Sequence, residues 1–285
     1  MIEWDMKRGQ GDGVEIQLAI KDGIGKNVLC LHGQTANCRC WDAMAAVLAS
    51  AHRVLAMDLR GRGLSDKPST GYSLQYHSRD IFRLLKDLDL KKVVLMGHSL
   101  GAYIALAFAA NYPDLTEKIV LIDGGGELTR DQWDKVIFAI QTSLDRLGQV
   151  FPSFEAYLEN LKLAPVLQPW TKEIEAYFRY ESEHVNGGVR SRIHADHVHE
   201  EIRNLLQEVP SEYFPKVICP VLILRATDGV LSPNDLVLPE TAVERMVSEI
   251  PDARRVDLKG TNHYSILLQP NQQRDQAILN FLEDY

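Results

Sequence analysis

A chain of 285 residues, 45% apolar and 25% charged, is long enough for one large core carrying an inserted subdomain, and two independent domains are not required. Its net charge of -8, with no basic run as a local exception, argues against a nucleic-acid partner, and no apolar stretch approaches the roughly 20 residues of a membrane-spanning helix. Residues 1–5 lack a charged-then-apolar leader pattern, and the four cysteines (Cys30, Cys38, Cys40, Cys219) are neither a disulfide scaffold nor paired zinc ligands, so reduced thiols and a cytoplasmic location are expected.

In chain order, the runs 28–31, 53–57, 93–96 and 119–122 are nearly continuous in apolar residues, as strands buried on both faces are. Between them, 41–49, 74–88 and 101–110 have the length and spacing of helices, so the first half predicts parallel strand–helix–strand units. After Asp123 the rhythm breaks, and from about 129 to 209 the chain reads as several helices without a convincing buried strand. Strands return at 221–224 and 253–258, and 272–282 closes the chain as an amphipathic helix. The expected fold class is therefore α/β, a doubly wound, mostly parallel sheet, with a core of 1–126 and 211–285 and a helical cap inserted at 127–210.

Gly97-His98-Ser99-Leu100-Gly101 follows an apolar strand and opens a helix of small residues. A serine on that turn projects above the sheet, and the flanking glycines remove the Cβ atoms that would block the tight crossing. Serine is a poor nucleophile at neutral pH and needs a base, which His263 in Gly260-Thr261-Asn262-His263 offers, following the last strand. The turn His32-Gly33-Gln34 ends an early strand, and its Gln34 N–H together with that of Leu100 makes a candidate oxyanion hole, with His32 supporting the loop.

With Asp58-Leu59-Arg60-Gly61-Arg62-Gly63-Leu64-Ser65-Asp66 added, these motifs resemble the α/β-hydrolase superfamily over nearly the whole chain, in its capped carboxylesterase, C–C hydrolase and perhydrolase branch. The resemblance implies an α/β-hydrolase fold, a structural role for the 58–66 loop, and a serine enzyme distinct from relatives with aspartate at the elbow. It also implies an acid partner for His263 and leaves two positions open. Asp228 follows the strand after the cap, although its loop to Pro233 is one residue longer than the usual pattern. Asp123 follows the strand after the nucleophile helix, and the longer loop at 228 tips the choice toward it.

The histidines and carboxylates of 194–200 partly share a helix face, but a closed zinc ligand set is missing, so no metal and no cofactor are expected. Aromatic residues of the insertion, among them Trp133, Phe138, Tyr177 and Phe178, are candidates to roof the pocket over Ser99. The expected function is hydrolysis of a small-molecule carboxylic ester through an acyl-enzyme. C–C bond hydrolysis and lactone opening use the same residues, and a non-catalytic ligand-binding receptor on the same fold is the reading from another class. The oligomeric state does not follow from the sequence.

Overall fold

The computed structural model describes residues 2–284. Its strands are β1 (Asp5–Gln10), β2 (Glu15–Lys21), β3 (Asn27–Leu31), β4 (Arg53–Met57), β5 (Val93–His98), β6 (Thr116–Ile122), β7 (Ser182–Val185), β8 (Gly188–Ser191), β9 (Val221–Ala226) and β10 (Ala253–Leu258). The helices are α1 (Asp42–Leu48), α2 (Leu74–Asp87), α3 (Leu100–Asn111), α4 (Arg130–Ala139), α5 (Gln141–Asp145), α6 (Phe154–Leu163), α7 (Lys172–Glu181), α8 (Ala195–Leu205), α9 (Glu240–Glu249), α10 (Ser265–Leu268) and α11 (Gln272–Glu283).

Eight strands form one sheet in the order β1-β2-β4-β3-β5-β6-β9-β10. All neighbours from β4 to β10 run parallel, while β1 with β2 and β2 with β4 are antiparallel. Alternate side chains divide the core between the two faces. Leu29, Leu31, Leu95, Leu121 and Ile223 pack with residues of α2, α3 and α9, whereas Val28, Cys30, Val94, Met96 and Val120 pack with residues of α1 and α11. This is the doubly wound α/β arrangement, in which helices cover both faces of a parallel sheet. Helix α3 is buried from Leu100 through Ala109, so it is apolar all round.

From β3 the chain crosses to β4 on one side, then returns past β3 to form β5 on the other. The connections leaving β3 and β5 therefore part, and the crevice between them lies at the carboxyl ends of the strands, where open α/β sheets bind ligands.

Two features depart from the sequence expectation. The β1–β2 hairpin extends the sheet's first edge; five of six β1 residues are exposed, and such a polar edge strand carries no apolar run to announce it. Within 129–209, read above as several helices without a buried strand, the half-buried β7 and β8 form a hairpin closed by Asn186-Gly187, with Gly187 at φ 92°. That dipeptide is a hairpin signal, weakened here by strands of only four residues. All four cysteines are buried and unpaired.

Candidate active site at the carboxyl ends of the strands

Each site residue sits where a parallel strand ends. Ser99 follows β5 with φ 55° and ψ -119°, a conformation unfavourable for a side-chain-bearing residue, and it is held there from both sides. Its N–H donates to the Ile122 carbonyl at 3.0 Å and its own carbonyl accepts from Ala102 N–H at 2.9 Å. The flanking glycines are required by contact: a Cβ on Gly101 would lie 2.0 Å from the Leu31 carbonyl oxygen, and one on Gly97 would lie 2.1 Å from that of Gly101. Helix α3 thus starts close against β3 and lifts the Ser99 side chain above the sheet.

His263 lies in the loop after β10, and its Nδ1 is 2.7 Å from Asp123 Oδ2 at the end of β6. A carboxylate only accepts, so Nδ1 carries a proton, and the contact selects the tautomer whose neutral ring has its lone pair on Nε2. The second carboxylate oxygen, Oδ1, accepts from Ala226 N–H at 3.1 Å, which fixes the Asp123 side chain across β9. Asp228 is exposed instead, with its carboxylate accepting from the neighbouring Thr227 hydroxyl at 3.2 Å. Of the two candidate acids, the fold brings Asp123 to the imidazole.

Ser99 and His263 line the same two small cavities, one of about 60 Å³ and one of about 40 Å³. Among the described residues their side chains form no direct hydrogen bond; such bonds are often long without substrate and tighten when it arrives. Gln34 lines both cavities and Leu100 lines the smaller. Leu100 opens α3, so its N–H has no helical acceptor, and the Gln34 N–H donates to no protein acceptor among the described residues. Both N–H groups are therefore unspent within the protein, on residues that line the space at Ser99.

The remaining imidazoles nearby are held neutral. The His98 ring lies tilted by 31° against that of His263 with centroids 4.5 Å apart, and its Nε2–H donates to the His263 carbonyl at 2.9 Å. Burial, reinforced by His263, keeps its pKa well below that of a free histidine. His32 donates through Nδ1–H to the Gly33 carbonyl at 2.8 Å and accepts the Leu59 N–H on Nε2 at 3.0 Å; burial brings its pKa down to about 3. It braces the loop that carries Gln34. Asp58 similarly anchors the 58–66 loop, accepting from Cys38 N–H, Leu64 N–H and the Tyr180 hydroxyl at 2.7, 2.9 and 2.6 Å.

The 194–200 segment does other work. His197 meets the Tyr72 hydroxyl at 2.9 Å and Glu200 accepts from Gly71 and Tyr72 N–H, while no group of three metal-ligating side chains occurs among the described residues. Of the aromatic residues expected to roof the pocket, Trp133 and Tyr177 line the cavities at Ser99, Phe178 lines a neighbouring space, and Phe138 is largely exposed. Sequence reading did not single out two buried carboxylates, Glu181 and Glu201, which pair with Arg146 and Arg62. Their only sequence signal is a charge at a position that the helix turns inward.

A model of the alpha/beta hydrolase family matches residues 28–275. The chain is 30% identical over 264 residues to a 2-(acetamidomethylene)succinate hydrolase of Mesorhizobium japonicum, covering 92% of this chain and 89% of that protein. The crystal structure of an E-2-(acetamidomethylene)succinate hydrolase superposes with a TM-score of 0.85 at 26% identity, over 99% of this chain and all of the other. A thermophilic esterase from Thermogutta terrifontis has a TM-score of 0.71 at 23% identity, covering 98% of each chain, a likeness of fold. No helix among the described residues is long and apolar enough to cross a membrane.

Proposed function

The chain belongs to the alpha/beta hydrolase family, and from that premise we propose that this hydrolase cleaves carboxylic esters through an acyl-enzyme formed on Ser99. One observation carries the reading: an imidazole oriented by a buried carboxylate at 2.7 Å borders the same cavities as a serine held at a strained turn. In the proposed mechanism His263 Nε2 takes the Ser99 proton as the hydroxyl attacks the ester carbonyl, and the N–H groups of Leu100 and Gln34 hold the oxyanion. The imidazolium then returns its proton to the leaving alcohol as the tetrahedral centre collapses to the acyl-enzyme, and a water deprotonated by the same imidazole attacks that ester, releasing the acid and restoring the Ser99 hydroxyl. Asp123 keeps the ring in the required tautomer and stabilises its charged form.

Residues 127–210 form the cap in this reading, inserted between the two core segments 1–126 and 211–285. The substrate is a small molecule, with neither nucleic acid nor metal involved, and the proposed compartment is the cytoplasm. A second reading has a specific support: the Mesorhizobium relative is named for hydrolysis of an acetamidomethylene succinate, so C–N or C–C cleavage by the same residues is the alternative. Lactone opening uses them too.

Labelling with a fluorophosphonate tests the nucleophile. The full chain is expected to be labelled at Ser99 and to turn over p-nitrophenyl esters, and Ser99→Ala, folded by circular dichroism, is expected to lose both. Full ester turnover by Ser99→Ala would refute the assignment. Ligand binding by the parent without labelling or turnover would instead favour a receptor on this fold. A panel of esters, lactones and a vinylogous diketone then ranks the bond types.

A further inference from the structure

Ser99 opens onto two limbs. The shorter is the cavity of about 40 Å³, walled by Tyr103, Trp133, Val136 and Ile202. The other, of about 60 Å³, is lined by Tyr177 and Leu267 and shares Thr35, Tyr177 and Tyr264 with a larger neighbouring space of about 260 Å³. A substrate carboxylate entering either limb loses its water and needs a cation in return. Apart from the imidazoles of the site, Arg146 is the one basic side chain lining these spaces among the described residues.

Arg146 is already spent. Its Nε and Nη2 donate to Glu181 Oε1 at 3.2 and 2.8 Å, Nη1 to the Ser143 carbonyl at 2.5 Å, and Nη2 also to the Thr35 carbonyl at 3.4 Å. Glu181, 1% exposed, is itself fixed by the Tyr157 and Ser191 hydroxyls at 2.8 and 2.9 Å, so the pair presents no net charge to the cavity. His98 is kept neutral by burial. The shorter limb has no charged wall, and the Tyr103 hydroxyl there is committed to the Gly126 carbonyl at 2.8 Å.

From these contacts we infer that the site takes an electroneutral substrate, an ester whose acyl and alcohol parts both lack charge, and that it rejects succinate-type acids. The inference rests on the ester-hydrolase reading. It separates this chain from the acid substrate named for its Mesorhizobium relative, through the closed Arg146–Glu181 pair.

A matched pair of substrates tests it with the full chain: p-nitrophenyl butyrate against mono-p-nitrophenyl succinate, which exchanges the terminal methyl for a carboxylate. Phenyl butyrate against 4-carboxyphenyl butyrate probes the leaving group in the same way. In both pairs kcat/KM is expected to favour the neutral ester by about 100-fold or more, the scale of burying a charge without a partner. Equal or faster turnover of a charged member overturns the inference, as does failure to cleave either neutral ester while Ser99 still takes the fluorophosphonate. Loss of both labelling and turnover would bring down the ester reading itself. In Glu181→Gln, checked for folding, the released Arg146 charge is expected to shift the ratio at least about ten-fold toward the charged ester. An unchanged ratio in the folded variant would refute the role given to the pair, and the parent's ratio tests the inference if that variant does not fold.

Discussion

Asp123 and Asp228 follow neighbouring strands, β6 and β9, by one and two residues, yet their surroundings are opposite. Asp123 is 1% exposed, sits at φ 47° and accepts from both Ala226 N–H and His263, whereas Asp228 faces solvent. A carboxylate at 2.7 Å from Nδ1 favours the tautomer that leaves Nε2 free, and an amide in its place holds the wrong one. Asp123→Asn is therefore expected to lower kcat by about 10⁴-fold with the fold intact. Asp228→Asn is expected to keep kcat near the parent value; Michaelis kinetics on one p-nitrophenyl ester compare the two, and the reverse outcome would move the acid to 228. The sequence narrowed this choice to two strand ends, but could not report which side chain turns inward. That depends on the backbone turn after each strand.

At the scale of elements, α8 holds the loop that carries a proposed oxyanion donor. The Gln34 side chain donates to the Val198 carbonyl on α8 at 3.3 Å, and the Gln34 carbonyl accepts from Arg62 Nε at 2.8 Å. Arg62 in turn pairs with Glu201, one turn further along α8, which also meets His77. Burial opposes the Glu201 charge, but His77 and Arg62 outweigh it and bring the carboxyl pKa down to about 2. Removing one member of such a pair leaves a buried charge without its partner. Glu201→Gln is expected to cost about 3–5 kcal/mol in urea unfolding and to lower kcat more than it raises KM, because the Gln34 peptide loosens where transition-state charge gathers. A stability loss with kcat unchanged would make the pair scaffold alone. Strands β3 to β6 were legible because continuous apolar runs are rare outside buried parallel strands, whereas Glu201 was not, since a charged residue on an amphipathic helix ordinarily faces water.

Across the whole molecule, buried imidazoles set the response to acid. In the unfolded chain His32 and His98 titrate near 6.5; in the fold burial holds His32 at about 3 and His98 well below its usual value. Below pH 6.5 the unfolded state therefore binds protons that the native state refuses, and stability falls as pH drops, by up to about 1.4 kcal/mol per pH unit for each such group. Glu201 adds a second window: its depressed pKa contributes stability that is complete above about 4.5 and is lost as pH falls toward 2. Urea midpoints measured between pH 7 and 4 are expected to fall steadily, and a flat profile would show that these imidazoles are not held neutral in the folded state.

By itself the sequence determined the parallel α/β sheet and the strand ends at which Ser99, His263 and the Gln34 turn emerge, because apolar periodicity and glycine spacing are local properties. Tertiary structure decided what depends on distance between remote segments: Asp123 reaching His263 across 140 positions of the chain, the β1–β2 edge, and the pairing that neutralises Arg146 in the cavity wall. A single side chain carries its charge in the sequence, but whether that charge is shared, buried or free is fixed only by its neighbours in space.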